Sequence, residues 1–188
     1  MNHTQRTKRA LVVLAEGFEE IEALAPIDIL RRARVEVVVA AVGELIVAGS
    51  HGIKVECDVL IKDVGTDFDV MVLPGGGMGA KNLAASWLVN EKMLMMASSG
   101  AIIASICASP AVVLGPAGLL EGHKAVCYPG AESHYPSFSF SDERVVVDGN
   151  LITARAAGCA LEFSLAIVES LMGREVRDTV AAAILFRV

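Results

Sequence analysis

Between Ala10 and Ala154 the chain alternates short, almost wholly apolar runs with longer stretches whose apolar residues recur every three or four positions. Unbroken apolar runs mark strands buried on both faces, and the wider spacing marks helices that cover them. Together they predict an α/β fold built on a mostly parallel sheet. Ala10–Leu14, Val35–Val42, Asp69–Leu73 and Ala101–Ile106 are the predicted strands. Glu19–Arg32, Trp87–Ala97, Leu161–Leu171 and Arg174–Phe186 are the predicted helices, with Pro26 expected to kink the first or open its second part. Gly49-Ser50 divides Ile46–Glu56 into a small hairpin at the sheet edge, and Asp148-Gly149-Asn150 divides Val145–Ala154 into another. Gly173 stands where a glycine ends a helix. The simplest assembly is a doubly wound open sheet sandwiched by helices, with any ligand site at the carboxyl ends of its strands. No composition shift or repeat marks a boundary, so residues 1–188 are expected to form one domain, with 1–8 as a flexible tail.

Composition narrows the function classes. Hydrophobic residues make up 54% of the 188 and charged residues 20%, enough for a large core. Sixteen Lys and Arg against twenty-two Asp and Glu leave a net charge of −6, which argues against a nucleic-acid partner. Met93–Leu120 carries no charge and is long enough to span a bilayer, but Ser98, Gly100, Ser109, Pro110, Gly115 and Pro116 break it into several short elements. No membrane association is expected. The first nine residues lack the apolar run of a secretory signal, so a cytoplasmic location is the expectation. Cys57, Cys107, Cys127 and Cys159 have neither metal-like spacing with each other nor with the histidines, and are expected to be free thiols with no bound metal.

Candidate chemistry concentrates in three segments. In Ser105-Ile106-Cys107-Ala108-Ser109-Pro110, a thiol stands between a buried strand and a helix, with small residues two before and two after it. A nucleophile elbow needs that pattern because its turn is too sharp for bulk, and Pro110 suits the first helical turn. A helix N-terminus should also depress the thiol pKa. The run Pro74-Gly75-Gly76-Gly77-Met78-Gly79 follows a strand and satisfies G-x-G-x-x-A through Gly75, Gly77 and Ala80. A dinucleotide site needs an acid at the end of the next strand, which ends instead in Ile106-Cys107, so an oxyanion-binding loop beside the thiol fits better. Glu16, Glu19, Glu20 and Glu22 follow the first strand, and one could carry a proton for the thiol; spacing does not say which. His3, His51, His123 and His134 fall in loops or the tail, where solvation is the ordinary fate.

Taken together, Arg9–Ala15, Gly17-Phe18-Glu19-Glu20-Ile21-Glu22, Val72–Gly76, Ile106–Pro110 and Ala166–Glu169 resemble the ThiJ/PfpI superfamily, and within it the Parkinsonism-associated deglycase branch. The resemblance implies a flavodoxin-like fold, a homodimer and a site without cofactors. It makes Cys107 the nucleophile and redox-sensitive thiol, Glu22 the protonated carboxyl bonded to its sulfur, and Gly76 and Ala108 the backbone donors around it. Gly75 and Tyr128 would line the site, and Cys57 matches a cysteine near the dimer interface. The implied activity is glyoxalase or deglycase chemistry on methylglyoxal or early glycation adducts, with protection against oxidative stress. The alternative is a redox sensor or redox-dependent chaperone, and an older family label refers to thiazole phosphate biosynthesis for thiamine. Two departures matter. Ala108 stands where the protease-like branch has His, which removes the peptidase expectation. Tyr128-Pro129 stands where some relatives have His-Pro, and a phenol with a pKa of about 10 is a poor proton shuttle near neutrality.

Overall fold

The computed structural model describes residues 6–187. In chain order its elements are β1 (Arg9–Leu14), α1 (Glu20–Arg32), β2 (Glu36–Ala41), β3 (Ile46–Ala48), β4 (Lys54–Glu56), β5 (Val59–Leu60) and β6 (Val70–Leu73). They continue with α2 (Gly77–Ala85), α3 (Trp87–Ser98), β7 (Ile102–Ile106), β8 (Val145–Asp148), β9 (Leu151–Ala154), α4 (Ala160–Met172) and α5 (Arg174–Ala183). Seven strands form one sheet in the order β5-β2-β1-β6-β7-β9-β8, with every pair parallel except β8 against β9. This is the doubly wound, flavodoxin-like arrangement expected from the apolar runs.

Both faces of the sheet are buried, which explains the missing polar alternation. Ala10, Val12 and Leu14 of β1 pack with Ile27 and Leu30 of α1 and Phe163 and Ile167 of α4. Leu11 and Val13 face the other way, toward Leu83 of α2 and Val89, Met93 and Met96 of α3. Phe18 and Phe163 are wholly buried, and removing such a side chain from water contributes about 1.5–3 kcal/mol.

Register decides where the loops meet. Leu14 pairs with Ala41, Leu73 with Ser105 and Ile106 with Ala154, so these strands end at one common rim. From β1 the chain winds outward to β2 on one side, and from β6 it winds to β7 on the other. The rim between β1 and β6 is therefore the switch point where a doubly wound fold opens a crevice.

Five sequence expectations need correction or refinement. The hairpin in Ile46–Glu56 exists as β3 and β4, but it forms its own two-stranded sheet, and the short β5 takes the main sheet's edge. Its bonds run to the loop after β1, where Gly17 N–H donates to Ala48 O at 2.8 Å. The glycine run passes straight into α2, a helix hidden by its glycines. After the thiol comes only a π-helical turn, Pro110–Leu114, rather than an α-helix. The last helix stops at Ala183, and Leu185 adopts φ 57°. Of the expected tail, residues 1–5 and with them His3 lie outside the described residues, while Arg6 and Lys8 are tied to Asp69 at 3.0 Å each. α1 runs through Pro26 without interruption, Gly149 at φ 61° turns β8 into β9, and Gly173 at φ 86° ends α4. Among the described residues no helix is long and apolar enough to cross a membrane.

Candidate functional site

Cys107 is placed by the end of β7 and by two backbone bonds. Its N–H donates to Ala154 O at 2.9 Å, and its carbonyl accepts the Tyr128 N–H at 2.8 Å. Those bonds hold it at φ 65°, a conformation that costs a non-glycine residue about 1–3 kcal/mol and marks the expected elbow. Ser105 and Ser109 are fully buried on either side, as the sharp turn requires. Ser109 Oγ also donates to Pro74 O at 2.6 Å, which fastens the elbow to the glycine loop. Cys107 is partly exposed, whereas Cys57, Cys127 and Cys159 are buried.

The structure separates the four glutamates that spacing left equivalent. Glu19 caps α1, its Oε2 accepting the Glu22 N–H at 2.8 Å. Glu16 accepts the Ala48 N–H at 3.1 Å, and Glu20 turns to His51 with Nδ1 and Oε2 2.8 Å apart. Glu22 alone turns inward to the thiol and is wholly buried. Gly75 N–H donates to its Oε2 at 2.8 Å.

Two glycines are required by close approach. A Cβ on Gly75 would lie 2.6 Å from both Cys107 Cβ and Glu22 Oε2, so the loop is threaded between the two side chains. Gly76, at φ 92°, would bring a Cβ to 2.3 Å from Gly17 O. Its backbone N–H and that of Ala108 both donate toward the Cys107 sulfur. The sequence-read residues Cys107, Glu22, Gly75, Gly76 and Ala108 thus meet at one point, and Tyr128 joins through its backbone, its side chain half exposed.

Electrostatics departs from the sequence expectation. Burial raises the Glu22 carboxyl to about 7, with the Glu19 charge acting in the same sense; contact with the thiol and the N–H groups of Gly75 and Ala157 holds it back. The Cys107 thiol is raised, not depressed: burial comes first, then the Glu22 charge and hydrogen bond, against which the Gly76 and Ala108 donors work. The correction has a physical cause. One π-helical turn offers little macrodipole, and a buried acid beside the sulfur resists a second negative charge. The pair holds its first proton near neutrality and binds its last one tightly, a state suited to passing one proton between carboxyl and sulfur.

Signals for three contributors were absent or ambiguous in the sequence. Ala157 offers only a backbone N–H, Ala154 only a carbonyl, and His51 was expected to be solvated rather than paired. Glu19, Glu20 and His51 bring ligand atoms within 4.8 Å of one another, but four donors already occupy the Glu20 oxygens. A cleft of about 770 Å³ opens at the opposite ends of the strands, among Arg6, Lys8, Phe68, Asp69 and Asn150. Its volume is unconnected with the thiol, and its Arg6 and Lys8 charges are already paired with Asp69.

Comparison with known proteins gives a consistent result. The DJ-1/PfpI family model matches residues 8–170. Protein DJ-1 homolog A of Arabidopsis thaliana is 48% identical over 171 residues; the match covers 90% of this chain and 44% of that protein, so the chain spans about half the length of this relative. Glutathione-independent glyoxalase DJR-1.2 of Caenorhabditis elegans is 33% identical, with 89% of this chain and 91% of that one covered. Among solved structures, oxidized Toxoplasma gondii DJ-1 superposes with a TM-score of 0.93 at 38% identity, covering 97% of this chain and 100% of that one.

Proposed function

The chain belongs to the DJ-1/PfpI family, and from that membership we propose that it is a cofactor-independent cysteine enzyme of the glyoxalase or deglycase type. One observation carries the proposal: the Cys107 sulfur sits between a buried carboxyl poised near neutrality and two backbone donors, Gly76 and Ala108. The named activity of the nematode relative supports the same class.

In this mechanism the thiol proton passes to the Glu22 carboxylate as the sulfur adds to the aldehyde carbon of a 2-oxoaldehyde, forming a C–S bond and a hemithioacetal. Gly76 and Ala108 N–H groups meet the negative charge that develops on oxygen. Glu22 returns the thiol proton to that oxygen; as a carboxylate again, it moves the proton of the former aldehyde carbon to its neighbour while the hydroxyl proton passes to the neighbouring oxygen, giving a 2-hydroxyacyl thioester. Water cleaves that thioester to the 2-hydroxy acid and returns the thiol. Substrate plus one water equals product, so no outside oxidant or reductant is required. Gly75 and Tyr128 line the site, Gly75 buried between the reacting pair and Tyr128 half exposed beside it.

A second role, redox sensing, draws support from the partial exposure of Cys107 and from the same two donors, which suit the oxygens of an oxidised sulfur as well as a thiolate. The proposed working form is a cytoplasmic homodimer. α1 and the β3–β4 hairpin expose Ile21 at 57%, Leu24 at 39%, Ile46 at 59% and Ile53 at 52%, apolar surface that a second copy would cover. Cys57, buried within the chain and raised to about 11 by burial and the Asp58 charge, is not poised to react across such an interface. Steady-state assay with methylglyoxal tests the enzyme role, with Cys107→Ser as control. Turnover that disappears in the control supports it; a wild-type rate no faster than free thiol leaves the sensor role.

A further inference from the structure

Glu20 has no part in the chemistry above, yet it is only 4% exposed and its carboxylate is crowded with donors. Its Oε1 accepts the His51 N–H at 2.6 Å and the Ile53 N–H at 3.4 Å. Its Oε2 accepts Ser50 Oγ at 3.2 Å and faces His51 Nδ1 at 2.8 Å. Gly49 lies so close that a Cβ there would stand 2.4 Å from Oε1. The turn between β3 and β4 is therefore wrapped around one buried charge, which would be costly to bury without those donors.

The same turn is stitched to the chain that precedes α1. Ala48 O accepts the Gly17 N–H and Phe18 O accepts the Ser50 N–H, both at 2.8 Å. The glycine loop leans on that stretch in turn. Glu19 N–H donates to Gly75 O at 3.1 Å, Gly79 N–H donates to Gly17 O at 3.0 Å, and Gly76 packs against Gly17 O. A continuous set of hydrogen bonds thus runs from an exposed histidine to the loop that holds both the carboxyl and the sulfur.

We propose that Glu20 is a positioning residue for the Cys107–Glu22 pair, gathering the β3–β4 turn against Gly17–Glu19 and so fixing Gly75 and Gly76. The inference rests on the Cys107–Glu22 chemistry proposed above. His51 is the outer half of this clamp, exposed in the single chain and beside the hairpin surface that the proposed homodimer would cover. The charged groups that act on its ring are Glu20 from α1 and Glu19 from the cap, and both raise its pKa, the Glu20 hydrogen bond most. Burial opposes ionisation of Glu20, but the His51 ring and the N–H groups of His51 and Ile53 hold its carboxyl at about 2. The ion-paired form of the clamp is complete below the ordinary imidazole pKa of about 6.5 and is lost as pH rises through the raised value.

The test is alkylation of Cys107 by iodoacetamide in the full chain, read by peptide mapping as a function of pH. Variants are Glu20→Gln, His51→Ala, Glu22→Gln and Asp69→Asn. Asp69 ties Arg9 N–H at 2.8 Å at the far end of the sheet, so its loss destabilises the fold without touching the clamp. Glu20→Gln is expected to speed Cys107 alkylation about tenfold near pH 8, the effect of a thiol pKa one unit lower once water re-enters the loop. His51→Ala should act in the same direction, less strongly and mainly on the acid side, where the ion pair that it removes is formed. Its side chain is 73% exposed, so it decides the matter alone if Glu20→Gln does not fold. Wild-type profiles in both clamp variants would overturn the inference, as would an Asp69→Asn profile shifted as far as that of Glu20→Gln. A wild-type profile in Glu22→Gln would sink the pair chemistry itself. A shifted profile there, beside unshifted clamp variants, would spare that chemistry and remove only the role of Glu20.

Discussion

Gly75→Ala tests the geometry of the site more directly than any change to a reacting group. The added methyl carbon would stand 2.6 Å from Cys107 Cβ, 2.6 Å from Glu22 Oε2 and 3.0 Å from Ile106 O. Ordinary contact needs nearly an ångström more, and the first two neighbours belong to the reacting pair while the third is strand backbone. Neither can yield without moving the thiol away from the carboxyl or breaking the Gly75 N–H bond to Glu22. A displacement of about 1 Å in such a site costs on the order of 10²-fold in rate. Overpacking adds about 1–3 kcal/mol of destabilisation. Gly77→Ala is the matched control, because nothing lies within 4 Å of its Cβ position and it begins α2. There alanine should be neutral or stabilising by about 0.4–1 kcal/mol. The assay is methylglyoxal turnover beside thermal unfolding for both variants. Wild-type turnover in Gly75→Ala, or an equal loss in Gly77→Ala, would refute the claim that the loop is threaded between Cys107 and Glu22.

Three further outcomes are expected. Glu22→Gln should lower turnover by about 10²–10⁴-fold, the usual worth of a positioned acid–base group. Its stability should also lose a pH dependence: the raised carboxyl stabilises the fold fully below 4.5, and that contribution, about 3 kcal/mol, is lost as pH rises through about 7, so the wild-type thermal midpoint should fall across that window and the variant's should not. Tyr128→His should leave turnover unchanged or raise it, since imidazole titrates near neutrality; a loss in steady-state assay would show that the phenol supplies a needed hydrogen bond. Mild peroxide should add two oxygen atoms at Cys107 before Cys57, Cys127 or Cys159, because those three thiols are buried and Cys107 is reachable; mass mapping that finds Cys127 or Cys159 oxidised first would contradict this.

Most of the scaffold was legible along the chain. Val70–Leu73 and, apart from Ser105, Ile102–Ile106 are apolar on both faces because the sheet is covered on both faces, and that leaves its mark as nearly unbroken runs. The elbow was legible for a local reason too: the residues that permit it, Ser105 and Ser109, are neighbours of Cys107 in sequence as well as in space. Spacing alone did not choose among Glu16, Glu19, Glu20 and Glu22; the resemblance singled out Glu22, and the structure makes the physical distinction. All four sit between Glu16 and Glu22, but only the winding of β1 beside β6 sends Glu22 inward and Glu20 outward to a hairpin some thirty residues away.

The sign of the thiol's pKa shift likewise belongs to tertiary structure. A helix after a cysteine argues for a thiolate, whereas the folded chain supplies one π turn, a buried sulfur and an acid contributed from another element. Local patterning by itself determined which segments became strands, helices and turns, because side-chain burial has the period of the backbone. Charge interactions act through space without any period, so the proton-sharing pair and the Glu20 clamp were decided only when parallel register brought the strand ends, and their loops, to a single rim.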